Sequence, residues 1–304
     1  MKILCEKFKP LKTVNKITCN YYQKPLCSLS NNFLCTEAER KREKSYKSYQ
    51  SYSSITTYLS CKRKYYFNYI MNIQPIERPD WAIRGSLFHT GLEMYYSGEG
   101  LPAIELDSDI NSIVSGVLKS YVEFYNDKRE NLKIEMKFTI DNPSIMAYID
   151  MIDGDTIIDH KLAKSEPTLL NVGYQASIYH RVIPDAEKFM INFVKVPQLK
   201  KKETESFEDF VKRIFEAVRK EPNKYFSRMT YSLSEFYLFE CQIDNIINEI
   251  NSMRNKHIDY YYMNTSSCYL CDYDDICLRK TIDDSKYTIG GERSGKRISY
   301  NNSG

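Results

Sequence analysis

The chain has 304 residues, 42% hydrophobic and 27% charged, with a formal net charge of +3. This composition excludes a disordered chain, the small net charge excludes a global nucleic-acid field so that any basic site is local, and no apolar run reaches membrane-spanning length. The N-terminal MKILCEKFKPLK is too charged for a signal peptide. The expected location is therefore intracellular, in the cytoplasm or, for a viral protein, the host cytoplasm, with no membrane partner. In that compartment nine cysteines argue against a disulfide framework and for a metal or cluster site.

In chain order, residues 1–50 read as a poorly ordered extension. Pro10 and Pro25 interrupt it, and ERKREKSYKSYQSYSS is low in complexity; a basic arm for nucleic acid is the less favoured reading. Cys5, Cys19, Cys27 and Cys35 lie there without metal-type spacing. Order is expected from Ser51, where SSITTYLSCKRKYYFNYIM starts a helix at Ser or Thr caps. Helical periodicity continues over Trp81–Tyr96 and about Asp109–Asn126. The period then changes, and KIEMKFTI, SIMAYIDMI and DTIIDHKLA read as strands. A helix around LLNVGYQASIYHRVI, a strand at KFMINFVKV and an amphipathic helix at SFEDFVKRIFEAVRK come next. SLSEFYLFECQIDNIINEINSMRNKH reads as a long helix starting at a serine cap. This order is a mixed α/β core with helical flanks. Residues 51–280 form the expected domain, and 281–304 a frayed polar tail.

The strand pair AYIDMIDGDTIIDHKLA, residues 147–163, carries the chemistry. DGD between two strand-like runs signals a hairpin. A Gly154-Asp155 loop sets Asp150 directly opposite Asp159. An Asp153-Gly154 loop makes them diagonal neighbours. Either keeps both acids on one sheet face, whereas a three-residue loop separates them. Lys161 shares the face of Asp159. Facing like charges destabilise a sheet, and a divalent cation would reverse that cost, since hard oxygen ligands suit Mg²⁺ or Mn²⁺. A solvated polar face with an Asp–Lys pair is the alternative, and these residues alone do not separate the two.

Asp150, then Asp159-His160-Lys161 in a strand, then a helix with Gln175 and Tyr179, resembles the PD-(D/E)XK nuclease superfamily. The order is similar to its RecB-like branch, which includes the CRISPR-adaptation nucleases. GSLFHTGLE, with Gly85 and His89, resembles that branch's upstream Gly-x-x-x-His helix, and QASIY its Gln-x-x-x-Tyr helix. The resemblance implies a restriction-endonuclease-like α/β fold, a mixed central sheet flanked by helices. It implies that Asp150, Asp159, His89 and the backbone carbonyl of His160 ligate Mg²⁺ or Mn²⁺. Lys161 would orient the attacking water, Gln175 and Tyr179 would position the strand or the lysine, and Glu135 would be a further acidic ligand.

CYLCDYDDIC supplies Cys268, Cys271 and Cys277, a spacing that can hold zinc or an iron–sulfur cluster. Cys61 is the candidate fourth ligand. Its helix resembles the cysteine-bearing first helix of the iron–sulfur RecB-like nucleases, where proline usually comes after the cysteine; Lys62 departs from that. The resemblance implies a [4Fe–4S] cluster in a helical cluster-binding region that clamps the domain's ends together, with zinc as the alternative. Cys241, within a helix, reads as a core residue.

GGERSGKR, residues 290–297, imitates a phosphate loop, but Arg297 replaces the Mg²⁺-binding Ser or Thr and too little chain remains for the required helix. No ATPase site is expected. Lys200, Lys201 and Lys202 read as a solvated loop that in a nuclease could touch phosphates. Arg63 and Lys64 amid Tyr65, Tyr66 and Phe67 combine charge with rings that could stack on bases, half of them expected in the core. The resulting expectation is a metal-dependent deoxyribonuclease, an exonuclease on single-stranded DNA ends, serving recombination, repair, replication or CRISPR adaptation. A helicase, recombination or CRISPR partner and a homo-oligomer are compatible with it. The rivals are a non-catalytic DNA-binding module of the same fold and a zinc-stapled structural protein.

Overall fold

The computed structural model describes residues 49–127, 132–254, 256–279, 282–283 and 285–289. The extension over 1–48 with its four cysteines, and the GGERSGKR segment, lie outside the described residues. The chain divides into two compact units, one built from the segments on either side of the other, with breaks after Glu77 and Asp244.

The larger unit holds a five-stranded sheet. Its strands are β2 (Lys133–Asp141), β3 (Ser144–Asp153), β4 (Thr156–Ala163), β5 (Lys188–Lys195) and β6 (Phe226–Ser232), in that spatial order. Only β4 and β5 pair in parallel. The crossover between them is α5 (Leu169–Val182), the helix that a parallel connection needs. Helices α3 (Asp80–Tyr96), α4 (Asp109–Tyr125) and α6 (Phe207–Lys220) pack into one core with Val194 and Phe226 of the sheet. Gly91 of α3 lies so close to Leu118 of α4 that an added Cβ would overlap its side chain, and Gly116 of α4 meets Ile214 of α6 in the same way. A larger residue at either point would force the helices apart.

Local chemistry sets the helix ends. The Ser108 hydroxyl accepts from Asn111 N–H at the start of α4, and Asn126 ends it in the left-handed region at φ +42°. Thr168 and Asn171 form a capping box for α5. Ser206 caps α6, with Glu208 and Asp209 in its first turn and Arg219 and Lys220 in its last.

In the smaller unit, α1 (Tyr52–Ser60) starts at a Ser51–Ser54 capping box. The expected continuous helix breaks at Cys61, whose backbone is extended at φ −161°. It resumes as α2 (Lys62–Tyr65) and a π-helical turn, Tyr66–Ile70. Tyr58, Tyr65, Tyr66, Phe67, Tyr261 and Tyr273 are all fully buried here. Much of the tyrosine excess is thus core, and Tyr65, Tyr66 and Phe67 are not a base-stacking stripe. Strand β1 (Ile73–Pro75) pairs antiparallel with β7 (Tyr287–Ile289). The expected frayed tail therefore contains a strand, seated by the buried ring of Tyr287.

Strand β6 is a further element absent from the sequence reading. Ser232 does act as a cap, through a box with Glu235, but it opens a 3₁₀ turn, Leu233–Phe236, ahead of α8 (Tyr237–Met253). Short α7 (Pro222–Tyr225) precedes β6, and short α9 (Asp274–Arg279) lies after the first two cysteines of the C-terminal trio and contains the third. No helix among the described residues is long and apolar enough to cross a membrane.

Candidate active site

The β3–β4 hairpin turns through Gly154 and Asp155, with Met151, Ile152 and Asp153 paired to Ile158, Ile157 and Thr156. Gly154 has φ +59°, which suits the first central position of a II′ turn. Of the loops compatible with the sequence, this one points Asp150 at Asp159. The ladder stops one pair short of them. In place of a backbone partner, His160 N–H donates to the Asp150 carboxylate at 2.9 Å. The two strands fork where the acids sit.

Alternation along β4 then sorts its side chains. Asp159 and Lys161 face α5, and Lys161 Nζ lies 2.8 Å from Asp159 Oδ2. Gln175 joins the two: its Nε2 donates to Asp159 Oδ1 at 2.6 Å, and its Oε1 accepts from Lys161 Nζ at 3.0 Å. Gln175 Nε2 also donates to Tyr179 Oη at 2.8 Å. The i, i+4 spacing on α5 thus makes one polar ladder. His160 faces the other way. Its ring is buried and its Nδ1 lies 2.7 Å from Asn192 Nδ2 on the neighbouring strand.

From α3, His89 Nδ1 reaches Asp150 Oδ1 at 3.2 Å. Glu135 completes this side. It falls at a gap in the β2–β3 ladder, between Ile134↔Met151 and Met136↔Ile149. Its φ of +53° is strained for a residue with a side chain. Ligand atoms of His89, Glu135 and Asp150 all lie within 4.8 Å of one another, a group able to hold a metal ion. Asp159 is outside that trio but next to it, since its charge acts on His89 and that of Asp150 acts on it.

The carboxyls shift in opposite directions. Burial raises the Asp159 pKa, and Lys161 only partly offsets it. For Asp150 burial acts the same way but is outweighed by His89 and by the His160 ring and N–H, so its carboxyl is held well below the usual range. Burial opposes charge on His89, and Asp150 more than restores it. Asp159 Oδ2 is buried and, despite the nearby lysine, lacks a donor in hydrogen-bond geometry. A buried carboxylate oxygen whose close charged neighbour is the Lys161 ammonium, beside a second carboxylate, suits a hard divalent cation.

The raised Asp159 pKa also makes stability depend on pH. The folded protein binds the Asp159 proton more tightly than the unfolded chain does. The metal-free protein therefore loses stability as pH rises from the ordinary aspartate value through the raised one. Asp159→Asn should raise the metal-free thermal midpoint at neutral pH. The gain should shrink toward pH 4, and added Mn²⁺ should stabilise the parent more than the variant. Thermal melts in chelator and in Mn²⁺ read both.

Sequence reasoning missed the support behind His160. Asn192 Nδ2 also donates to Tyr121 Oη at 2.7 Å. Tyr121 Oη lies 2.9 Å from Tyr96 Oη. Arg228 donates to Tyr121 Oη at 3.1 Å and to Asp127 at 2.7 Å. Its guanidinium stands 3.7 Å over the Tyr125 ring. These residues come from α3, α4, β5, β6 and a loop, so no spacing in the sequence announces them. Lys200 and Lys201 belong to a pinned loop in which Arg213 holds Glu205 and Lys200 O.

In the smaller unit, Cys61, Cys268, Cys271 and Cys277 line one cavity with Arg63, Lys64, Phe67, Met263 and Tyr273. Burial pushes the Cys271 thiol up and that of Cys277 up to about 11. Cys241, in the larger unit, is exposed, contrary to its reading as core.

No curated protein is significantly similar in sequence. Two solved structures resemble the chain distantly. One is the protein SSO0001, at 14% identity and TM-score 0.36, covering 81% of this chain and 96% of that one. The other is a proposed exonuclease from Eubacterium rectale, at 12% identity and TM-score 0.45, covering 86% and 95%. A model of the PD-(D/E)XK nuclease superfamily matches residues 49–278, from the first helix through the last cysteine. With a five-stranded mixed sheet that brings Asp150, Asp159 and Lys161 to one fork, the chain belongs to the PD-(D/E)XK nuclease superfamily.

Proposed function

We propose that this protein is a Mg²⁺- or Mn²⁺-dependent deoxyribonuclease of the RecB-like branch, an exonuclease acting on single-stranded DNA ends. The observation that carries the reading is the convergence of Asp150, Asp159 and Lys161 at the β3–β4 fork, with His89 and Glu135 closing one side. Asp150, Glu135, His89 and Asp159 would hold the metal, with the His160 carbonyl as a further ligand. When bound, the metal would supply Lewis-acid stabilisation of the phosphate and lower the pKa of the attacking water. Lys161 orients that water and holds positive charge near the developing phosphorane. Gln175 keeps Lys161 and Asp159 in register, and Tyr179 fixes Gln175. His160 N–H holds Asp150 in place, and the Asn192–Tyr121–Arg228 network stiffens the strand from behind.

The four cysteines are the proposed ligands of a [4Fe–4S] cluster that staples the smaller unit. The shared cavity supports this, with Arg63 and Lys64 placed to offset thiolate charge.

The test is digestion of end-labelled single- and double-stranded DNA by anaerobically purified protein with Mg²⁺, Mn²⁺ or chelator. Metal-dependent release of labelled ends from single strands is expected. DNA binding without product under either metal would overturn the nuclease reading in favour of a binding module.

A further inference from the structure

Tryptophan is the bulkiest apolar side chain and is seldom left in water. This chain has one tryptophan, and it is 69% exposed. Trp81 sits in the first turn of α3, four residues before Gly85 and eight before His89. At 3.6 residues per turn these three positions run along one side of the helix. The side chain that would interrupt the row is missing: a Cβ built on Gly85 meets no atom within 4 Å. The helix thus offers an open lane from an exposed indole to the histidine beside Asp150. Arg78 lies along the flank of that lane, its guanidinium donating to Ser86 Oγ at 2.7 Å and to Ala82 O at 3.4 Å. A flat aromatic face, a clear lane and a tethered cation next to a phosphodiester-cleaving site match one ligand chemistry, an unpaired nucleotide strand with its bases turned out.

We infer that Trp81 is a stacking platform for a base of the single-stranded DNA substrate, with the strand crossing Gly85 toward the metal site and Arg78 facing its backbone. This rests on the nuclease reading above. Eight helical residues span about 12 Å, or roughly three to four nucleotides at the 3.4 Å rise of a stacked strand. The platform therefore holds a base a few nucleotides from the scissile phosphate. Inside a duplex the base faces are covered by their neighbours, so a base a few nucleotides from the end can use the platform only when it is unpaired and unstacked. That gives the enzyme a preference for single strands that does not depend on reading sequence.

The single indole makes the test direct. Full-length Lys161→Ala protein in Mg²⁺ is titrated with oligothymidylate while tryptophan fluorescence and the anisotropy of a labelled strand are followed together. Saturable quenching with the same midpoint as the anisotropy change is expected. Trp81→Ala should weaken single-strand binding roughly 5- to 150-fold, the range for loss of one base–aromatic stack. Trp81→Phe should keep most of the affinity, and duplex binding should change little in either variant. Binding by anisotropy with unchanged fluorescence would overturn the platform while leaving the nuclease reading intact. Absence of DNA binding altogether would overturn both.

Discussion

Asp150→Ala should remove both the divalent metal and DNA cleavage. Asp150 is the carboxylate on which the site's other groups converge: His89 lies 3.2 Å from one of its oxygens and His160 N–H donates to the other. Glu135 stands within ligand distance of the same point. Losing an outer-shell partner costs a metal site about 10–100-fold in affinity, so losing the central carboxylate should cost more. His89 and Glu135 would also lose the group that fixes them. Mn²⁺ titration by calorimetry should show binding to the parent and none to the variant at the same concentrations. Cleavage of labelled single strands should fall with it. Retained Mn²⁺ binding with retained activity would place the metal elsewhere. Asp150→Ala also removes the carboxylate that pairs with His89 and the His160 N–H, so the metal-free variant should melt lower, and a cooperative melt checks that it is folded.

The second large effect is expected in the smaller unit. Cys61, at the break between α1 and α2, lines one cavity with Cys268, Cys271 and Cys277 across roughly two hundred residues of sequence. A bound cluster adds its free energy only when both segments are folded together. Cys277→Ser or Cys61→Ser should abolish visible absorbance near 400 nm and the bound iron, about four per chain in the parent. Loss of several kcal/mol should lower the thermal transition of the unit by about 10 °C or more. Cys241→Ser, at an exposed position on α8, should change neither absorbance nor melting. A colourless anaerobic preparation carrying one zinc per chain would replace the cluster with a zinc staple. The raised thiol pKa values of Cys271 and Cys277 describe protonated, metal-free thiols, so loading should release protons.

The hairpin was legible because its determinants are local. A DGD turn with alternating apolar residues on both sides fixes parity, and parity alone puts Asp150 and Asp159 on one face. The start of the first helix was legible for the same reason, since Ser51 caps it, whereas the caps Ser108, Thr168 and Ser206 show in the structure. Strand β6 was not. FSRMTYS buries only Phe226 fully, so it lacks an apolar face that periodicity can detect, and its place comes from pairing with β5. Strand β7 is three residues long and depends on a partner more than two hundred positions away. The kink at Cys61 is invisible to helix propensity. The distortion at Glu135 is a tertiary event, where a strand residue gives up its ladder pairing and takes a left-handed φ beside the site. Asn192, Tyr121 and Arg228 were hidden for the reason that makes them effective. They meet behind His160 only after four elements have packed.

Lys161 separates cleavage from metal and DNA binding, because it touches Asp159 and Gln175 without belonging to the metal-type trio. The most direct measurement is single-turnover cleavage of a labelled single strand by the parent and by Lys161→Ala, at Mn²⁺ and DNA concentrations that saturate both. The parent should cut, and the variant should cut roughly 100- to 10,000-fold more slowly, the usual contribution of one positioned proton-handling group, with unchanged strand affinity. Equal rates in the two proteins would contradict the assignment of the active site.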